Sequence, residues 1–341
     1  MDDLSIDMEN ERLKASWNCH SAEQLATYLC IEEQDQRINT HSILTRALLS
    51  DTLWPGQFDA LINEELRFGV VMTWLLQELR SGVNRFTLLD ELDGSTQSRP
   101  IPEVVRQVVA WLQTEACTVS DYVTDALMSK DPDQPDWYLF EPALNTFCRL
   151  WASQVQGLTS ERISILEIAC GSGNDYQAIR DFGLAAHVSY SGFDISWKNI
   201  SNARSQHPGV NFFEASVLRS GLPDNSFDYI FVHDLLGHLS PEGMEVAIAE
   251  IIRIARKEAW IHCYNVADIE RHEIRPFQLY FRNRLSIPQF MASLEKAGAS
   301  VDVISISDML DRKFRFVPEY TATSGTFIAR KLSQRPCSSL T

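Results

Sequence analysis

Ile163-Ser164-Ile165-Leu166-Glu167-Ile168-Ala169-Cys170-Gly171-Ser172-Gly173-Asn174 is the stretch that decides the fold. Its first six residues form a short, nearly continuous apolar run, as expected of a strand buried on both faces of a parallel sheet. The run ends in a glycine-rich turn. Glycines there let the backbone approach a ligand closely, and a helix opening behind them presents unpaired N–H groups. A Gly-x-Gly turn alone is a weak signal. Asp194 strengthens it: this residue closes the run Val188–Phe193, 23 residues beyond Gly171. A carboxylate in that place can accept hydrogen bonds from both hydroxyls of a ribose. The pair would also fit a nicotinamide dinucleotide enzyme, so it leaves the cofactor open.

Outward from this stretch the chain alternates. Further strands are expected at Val210–Phe213, Phe227–Val232, Trp260–Tyr264, Val301–Ile306 and Gly325–Ala329, with helices between them at Pro241–Ala255 and Pro288–Ala297. Seven strands with intervening helices predict an α/β fold: a doubly wound, mainly parallel, Rossmann-like seven-stranded sheet covered on both faces. The first 140 residues read instead as helices and predict an all-helical N-terminal cap. Phe58–Leu79 has a wide apolar stripe at helical spacing, and Ile101–Ala116 a second, while Ser21 with Gln24 forms a capping-box pattern. Asp90–Pro100 reads as a loop and Asp131–Pro135 as a break. The expected layout is a helical cap and substrate region over 1–140, the α/β domain over 141–332 and a polar tail over 333–341.

The third and fourth strands narrow the cofactor. Leu222-Pro223-Asp224-Asn225-Ser226-Phe227-Asp228 and the ungapped segment Phe227–Leu239, together with Glu167–Gly173 and Asp194, resemble the class I S-adenosylmethionine-dependent methyltransferase superfamily, in its small-molecule branch. The resemblance covers roughly 160–331. It implies S-adenosylmethionine as cofactor. Gly171 and Gly173 would line its methionine part, and Glu167 would fix the loop or the ammonium. Asp194 would take the ribose, Ile195 would lie against the adenine, and Ser216 and Val217 would meet the adenine edge. His233 would sit beside the transferred methyl, and Tyr138 (after Trp137) would supply an aromatic over the cofactor. Two positions depart from the family pattern. Ala169 stands where a glycine is usual, and Ser216 where an aspartate commonly faces the adenine amine.

Methyl transfer from a sulfonium needs alignment and exclusion of water, plus a base if the nucleophile arrives protonated. His233 and Asp234, adjacent at the mouth of the sheet, are the catalytic candidates; His262 and Tyr264 at the end of the fifth strand are further ones. His238 reads as a packed structural histidine. Asn265–Arg284 is long and reads as a lid. The segment Val232-His233-Asp234-Leu235 lacks the Asn/Asp-Pro-Pro-Tyr/Phe pattern of enzymes that methylate base or glutamine amides, and no Pro-Cys pair marks a cytosine C5 nucleophile.

Composition bounds the partners. The chain has 341 residues and a net charge of −16. Residues 1–140 hold 24 acidic and 10 basic side chains, and residues 141–341 hold 22 and 20. An acidic surface repels phosphate backbones, so no nucleic-acid partner is expected. No apolar run approaches the length that spans a bilayer, and the acidic N-terminus lacks the features of a signal peptide, so no membrane partner and a cytoplasmic location are expected. The seven scattered cysteines show no metal-ligand or disulfide spacing, so no metal is expected. Nothing in the sequence fixes an oligomeric state. The expected function is methylation of a small-molecule acceptor, leaning to a cationic polar amine and N-methylation. O- or C-methylation, a protein acceptor and a non-catalytic binding protein with the same fold are the alternatives.

Overall fold

The computed structural model describes residues 3–18, 40–96, 98, 100–114, 141–317 and 323–332. Among the described residues five helices precede residue 141: α1 (Asp3–Asn18), α2 (Thr40–Leu53), α3 (Asp59–Arg80), α4 (Arg85–Leu92) and α5 (Glu103–Thr114). Helix α6 (Glu141–Val155) then leads into the sheet strands β1 (Ile163–Ile168), β2 (Val188–Asp194), β3 (Asn211–Glu214), β4 (Phe227–His233), β5 (Ala255–Cys263), β6 (Ala299–Ser305) and β7 (Gly325–Lys331). Between them run α7 (Asn174–Asp181), α8 (Trp197–Gln206), α9 (Pro241–Ile254), α10 (Ile287–Lys296) and α11 (Ile306–Phe314).

The seven strands form one sheet in the order β6-β7-β5-β4-β1-β2-β3. β7 is antiparallel to both neighbours, and every other pair is parallel. This is the doubly wound, Rossmann-like sheet read from the periodicity. β1 is buried at five of its six positions because helices cover both faces, whereas the edge strand β6 keeps Ser300 and Asp302 exposed. Strand order reverses between β1 and β4. That leaves a crevice beyond their carboxyl ends, where this architecture binds ligands.

Serines start the helices that return from the sheet. Ser240 Oγ accepts from Gly243 N at 3.0 Å ahead of Pro241, and Ser286 Oγ accepts from Gln289 N at 3.1 Å ahead of Ile287-Pro288. Two sequence expectations are corrected. β5 begins at Ala255, five residues before the expected Trp260. Its charged start, Arg256-Lys257-Glu258, pairs along the sheet surface instead of entering the core, with Arg256 Nη1 2.9 Å from Asp228. The expected loop at Asp90–Pro100 opens inside helix α4, which Asn84 caps by accepting from Phe86 N at 2.8 Å. The Ser21 capping box and the Asp131–Pro135 break lie outside the described residues.

Among the described residues the N-terminal helices do not form a separate core. One apolar cluster joins Ile43, Phe68 and Val105 to Phe147 and Trp151 of α6, and through them to Ile165 and Trp260 of the sheet. Trp151 stacks on Phe58 at 5.3 Å, and its indole N–H donates to Glu65 Oε2 at 2.8 Å. Glu65 also pairs with Arg46, a fully buried guanidinium lying 3.7 Å from the centre of the Phe182 ring. No helix among the described residues is long and apolar enough to cross a membrane.

Candidate active site

The crevice holds a pocket of about 1150 Å³ counting its open mouth. It is built from the carboxyl ends of β1, β2, β4 and β5, the turn after β3, and Leu13 of α1. Of the residues singled out from the sequence, Glu167, Ala169, Gly171, Asp194, Ile195, Ser216, Val217, His233 and Asp234 all line it.

The turn after β1 is held by its own backbone and by β2. Cys170 N donates to Phe193 O at 3.0 Å and Gly173 N to Cys170 O at 2.9 Å. Ala169 has φ +59°, so the alanine in the glycine position adopts the left-handed conformation a glycine would take without steric cost. Gly173 is placed differently from the expectation. It does not line the pocket but caps α7 at φ +84°, packed so closely under His207 that an added Cβ would come within 2.7 Å of the ring.

Asp194 ties the two sides of the site together. One carboxylate oxygen accepts from Gly171 N at 3.0 Å and the other from Ser196 N at 2.7 Å. Burial pushes its carboxyl up, against these hydrogen bonds and one from Asn199. Asn199, on the first turn of α8, also lines the pocket, and its buried Oδ1 has no partner among the described residues. Sequence reasoning missed it, although its place five residues beyond Asp194 on a helix start was a usable signal.

Glu167 is buried and accepts a hydrogen bond from Tyr190 Oη. Burial, then the charges of Asp175 and Asp194, push its carboxyl well above the usual range. Asp175, on the first turn of α7, is the opposite case. Burial works against its ionisation, but the charge and hydrogen bond of His233 hold its carboxyl below the usual range. His233 Nδ1 lies 3.0 Å from Asp175 Oδ2, and Nε2 lies 2.9 Å from Tyr264 Oη.

Asp234 follows at φ +50°, and its Oδ2 lies 3.4 Å from His238 Nε2, while His238 Nδ1 lies 3.0 Å from Phe281 O. His238 is thus engaged at both nitrogens, as a structural histidine would be, and also borders the pocket. Burial opposes both charges of the pair, yet the mutual contact prevails: Asp234 is held below its usual range and His238 above it. The pair therefore stabilises the fold from about pH 4, where Asp234 ionises in the unfolded chain, up to the pH at which folded His238 loses its proton. It fades below and above that window. Because the carboxylate is part-exposed, the contribution is about 0.2–1 kcal/mol. His238→Gln should lower the melting temperature slightly at pH 6 and not at all at pH 9; an equal loss at both values would show that packing, not charge, holds His238.

His262 leaves the catalytic list. It points away from the pocket into the core, 2.9 Å from Thr45 Oγ1 and 2.7 Å from Thr326 Oγ1, and burial with the neighbouring His233 pushes it down to about 3. Tyr138 and Trp137 lie outside the described residues. The expected lid, 265–284, is a folded arm pinned by Asn283, whose N donates to Gly237 O and whose Nδ2 donates to Leu239 O; it lends no residue to the pocket. Helix α1 takes the covering place instead. Glu9 accepts from Ser240 N at 2.9 Å, and Asn10 accepts from Ser216 Oγ, the hydroxyl at the rim.

Residues 165–258 match the model of a methyltransferase domain. The chain carries a methyltransferase domain over this segment. S-adenosylmethionine is the cofactor that the sequence resemblance implies for it. The pocket fits that group: its buried carboxylates would serve cationic and hydroxyl parts of a ligand, and the Asn199 Oδ1, unpartnered among the described residues, offers one more acceptor. The domain is similar to several solved structures. One is an S-adenosylmethionine-dependent methyltransferase from Mesorhizobium loti, 14% identical over 55% of this chain and 100% of that one, with a TM-score of 0.39. Another is from Methanosarcina mazei, 17% identical over 53% and 97%, at 0.40. A third is a putative sarcosine dimethylglycine methyltransferase from Galdieria sulphuraria, 16% identical over 59% and 91%, at 0.38. At these scores the likenesses carry nothing about activity or acceptor.

Proposed function

We propose that the protein methylates a small molecule, and that the acceptor is a polar amine methylated on nitrogen. The observation that carries this reading is the charge around the pocket. Asp175, Asp194 and Asp234 line it together with Glu167, and Asp3, Asp7, Glu9 and Glu11 stud the helix whose Leu13 also lines it. Such a mouth raises the local concentration of a cation and repels carboxylates and phosphates.

S-adenosylmethionine, when bound, supplies the electrophilic methyl on a sulfonium. Glu167, Ala169 and Gly171 are proposed to frame its methionine end, with Gly173 shaping the turn behind them. Asp194 is proposed to take the ribose, with Ile195, Ser216 and Val217 at the adenine. His233, which lines the pocket, is proposed to stand beside the methyl. Leu13 and Phe193 wall the site against water, which strengthens every charge inside it. Asp234, ionised and paired, is a poor base near pH 7 and is better suited to hold a cationic acceptor.

The test is mass spectrometry of products formed from methyl-labelled cofactor with ethanolamine, putrescine, glucosamine, catechol and benzoate. It is followed by the salt dependence of KM for the best acceptor. Screening shortens from about 30 Å at 0.01 M to about 8 Å at 0.15 M, so KM for a steered cation should rise over that range. A phenol or carboxylate as best acceptor, or a KM indifferent to salt, overturns the amine reading. No product from any of them turns the balance to a protein acceptor or a binding role.

A further inference from the structure

We infer that α1 is a detachable gate on the cofactor pocket, and that Glu9, seated at the start of α9, is its latch. The inference rests on the methyltransferase reading above.

A single face of α1 meets the site. Ile6, Glu9, Asn10 and Leu13 recur at the spacing of one helical face. Leu13 is buried and forms a wall of the pocket. Asn10 accepts from Ser216 Oγ at the pocket rim, and Ile6 packs, part-buried, on the apolar cluster that includes Leu13. Leu4 and Met8 are exposed at 75% and 73%, so the helix is fastened along that one face only.

Little apolar area holds the helix down. Among the described residues, Leu13 and Ile6 are its members of the core. Arg219 reaches Asp3 at 3.2 Å and Asp7 at 3.4 Å, but all three side chains are more than half exposed, and such pairs add little and are screened by salt. The Arg12 guanidinium lies 4.6 Å from the centre of the Phe281 ring. An element fastened by few buried apolar contacts opens at a lower free energy than the sheet it lies on.

Glu9 is the tie with a built seat. Its Oε1 accepts from Ser240 N at 2.9 Å and its Oε2 from Ser240 Oγ, which itself accepts from Gly243 N at 3.0 Å. The carboxylate thus rests on the first turn of α9, where the helix dipole and backbone N–H groups favour a negative charge. The seat exists because residue 243 is glycine: a Cβ there would come within 2.9 Å of the Glu9 carboxyl. Gly243 stands inside a regular helix, where glycine is less favourable than alanine. Helix α9 gains nothing from it, whereas Glu9 gains its seat. Glu9, Ser240 and Gly243 lie outside the pocket lining, so the latch holds α1 closed whether or not a ligand is bound. With α1 down, Leu13 closes its side of the pocket, and the cofactor exchanges when α1 lifts.

Surface plasmon resonance of S-adenosylhomocysteine over the immobilised full chain tests the gate. Gly243→Ala, which leaves every pocket-lining residue in place, should raise both the association and the dissociation rate constant about tenfold, the order expected of one charge-assisted hydrogen bond lost from the closed state. Kd should change little, because the latch holds the free and the bound protein alike. A fixed wall would give faster dissociation alone. Glu9→Gln keeps a neutral acceptor in the unchanged seat and should act in the same direction to a smaller extent. Hydrogen exchange read by mass spectrometry should show residues 3–18 exchanging faster in Gly243→Ala, with 241–254 as protected as before. Rate constants unmoved in both variants, or a rise in dissociation without one in association, overturn the inference. So does exchange in α1 that ignores both changes. Should α9 lose protection in Gly243→Ala, the rate constants of Glu9→Gln decide the case. If the unmodified protein binds no S-adenosylhomocysteine, the cofactor reading fails and the gate falls with it, whereas the other failures leave that reading standing.

Discussion

Glu65→Ala should lower the free energy of unfolding by about 3–5 kcal/mol, because it leaves a charged guanidinium stranded in the core. Arg46 and Glu65 are both fully buried, and Glu65 also accepts from the Trp151 indole, so one carboxylate serves two donors. Two further nitrogens of Arg46 have no partner among the described residues, and the Phe182 ring under the guanidinium is its remaining compensation. The reciprocal change, Arg46→Met, should cost less at low pH than at high pH. Burial already raises the Glu65 carboxyl despite Arg46, and without Arg46 the carboxyl rises further. A carboxyl whose folded pKa lies above its unfolded value binds more protons in the native state, so stability falls as pH rises through that window. Urea midpoints of both single variants and of the Arg46→Met, Glu65→Leu double variant at pH 5 and pH 8 check this. The double variant should recover most of the loss, since well-packed apolar groups can replace a buried pair. Equal losses in all three would place the stabilisation in packing alone.

Asp194→Ala should weaken S-adenosylhomocysteine binding at least about tenfold, equivalent to about 1.4 kcal/mol, in a protein that remains folded. Hydrogen bonds to a carboxylate are worth about 1.5–3 kcal/mol each and are not additive. Asp194 acts twice: as the proposed ribose ligand, and as the acceptor that fixes Gly171 N, hence the course of the glycine turn. Asp194→Asn keeps an acceptor oxygen and should fall between the two. Calorimetry, with far-ultraviolet circular dichroism to verify the fold, gives the answer. Undiminished affinity in folded Asp194→Ala would remove the ribose assignment.

The sequence by itself determined what depends on neighbours along the chain. The strand at 163–168, the turn after it and the acid closing the second strand are local patterns: apolar runs, glycine in left-handed positions, a polar residue at a strand end. The same holds for His233 and Asp234, since a residue at the end of a strand in this architecture reaches the crevice wherever the rest of the chain goes. Tertiary structure decided everything that depends on distant partners. Asp175, His233 and Tyr264 are separated by 58 and 31 residues, so no spacing rule could link them. His262 and Tyr264 look equivalent in sequence. Yet Thr45, 217 residues away, claims the first for the core, while the second lies just past the end of β5 and enters the pocket. Helix α1 became the cover of the site, and 265–284 did not, because Glu9, Asn10 and Leu13 meet the sheet end through contacts more than 200 residues apart in the chain. Periodicity shows that a helix has a face to bury; which surface receives it is settled only when the whole chain has packed.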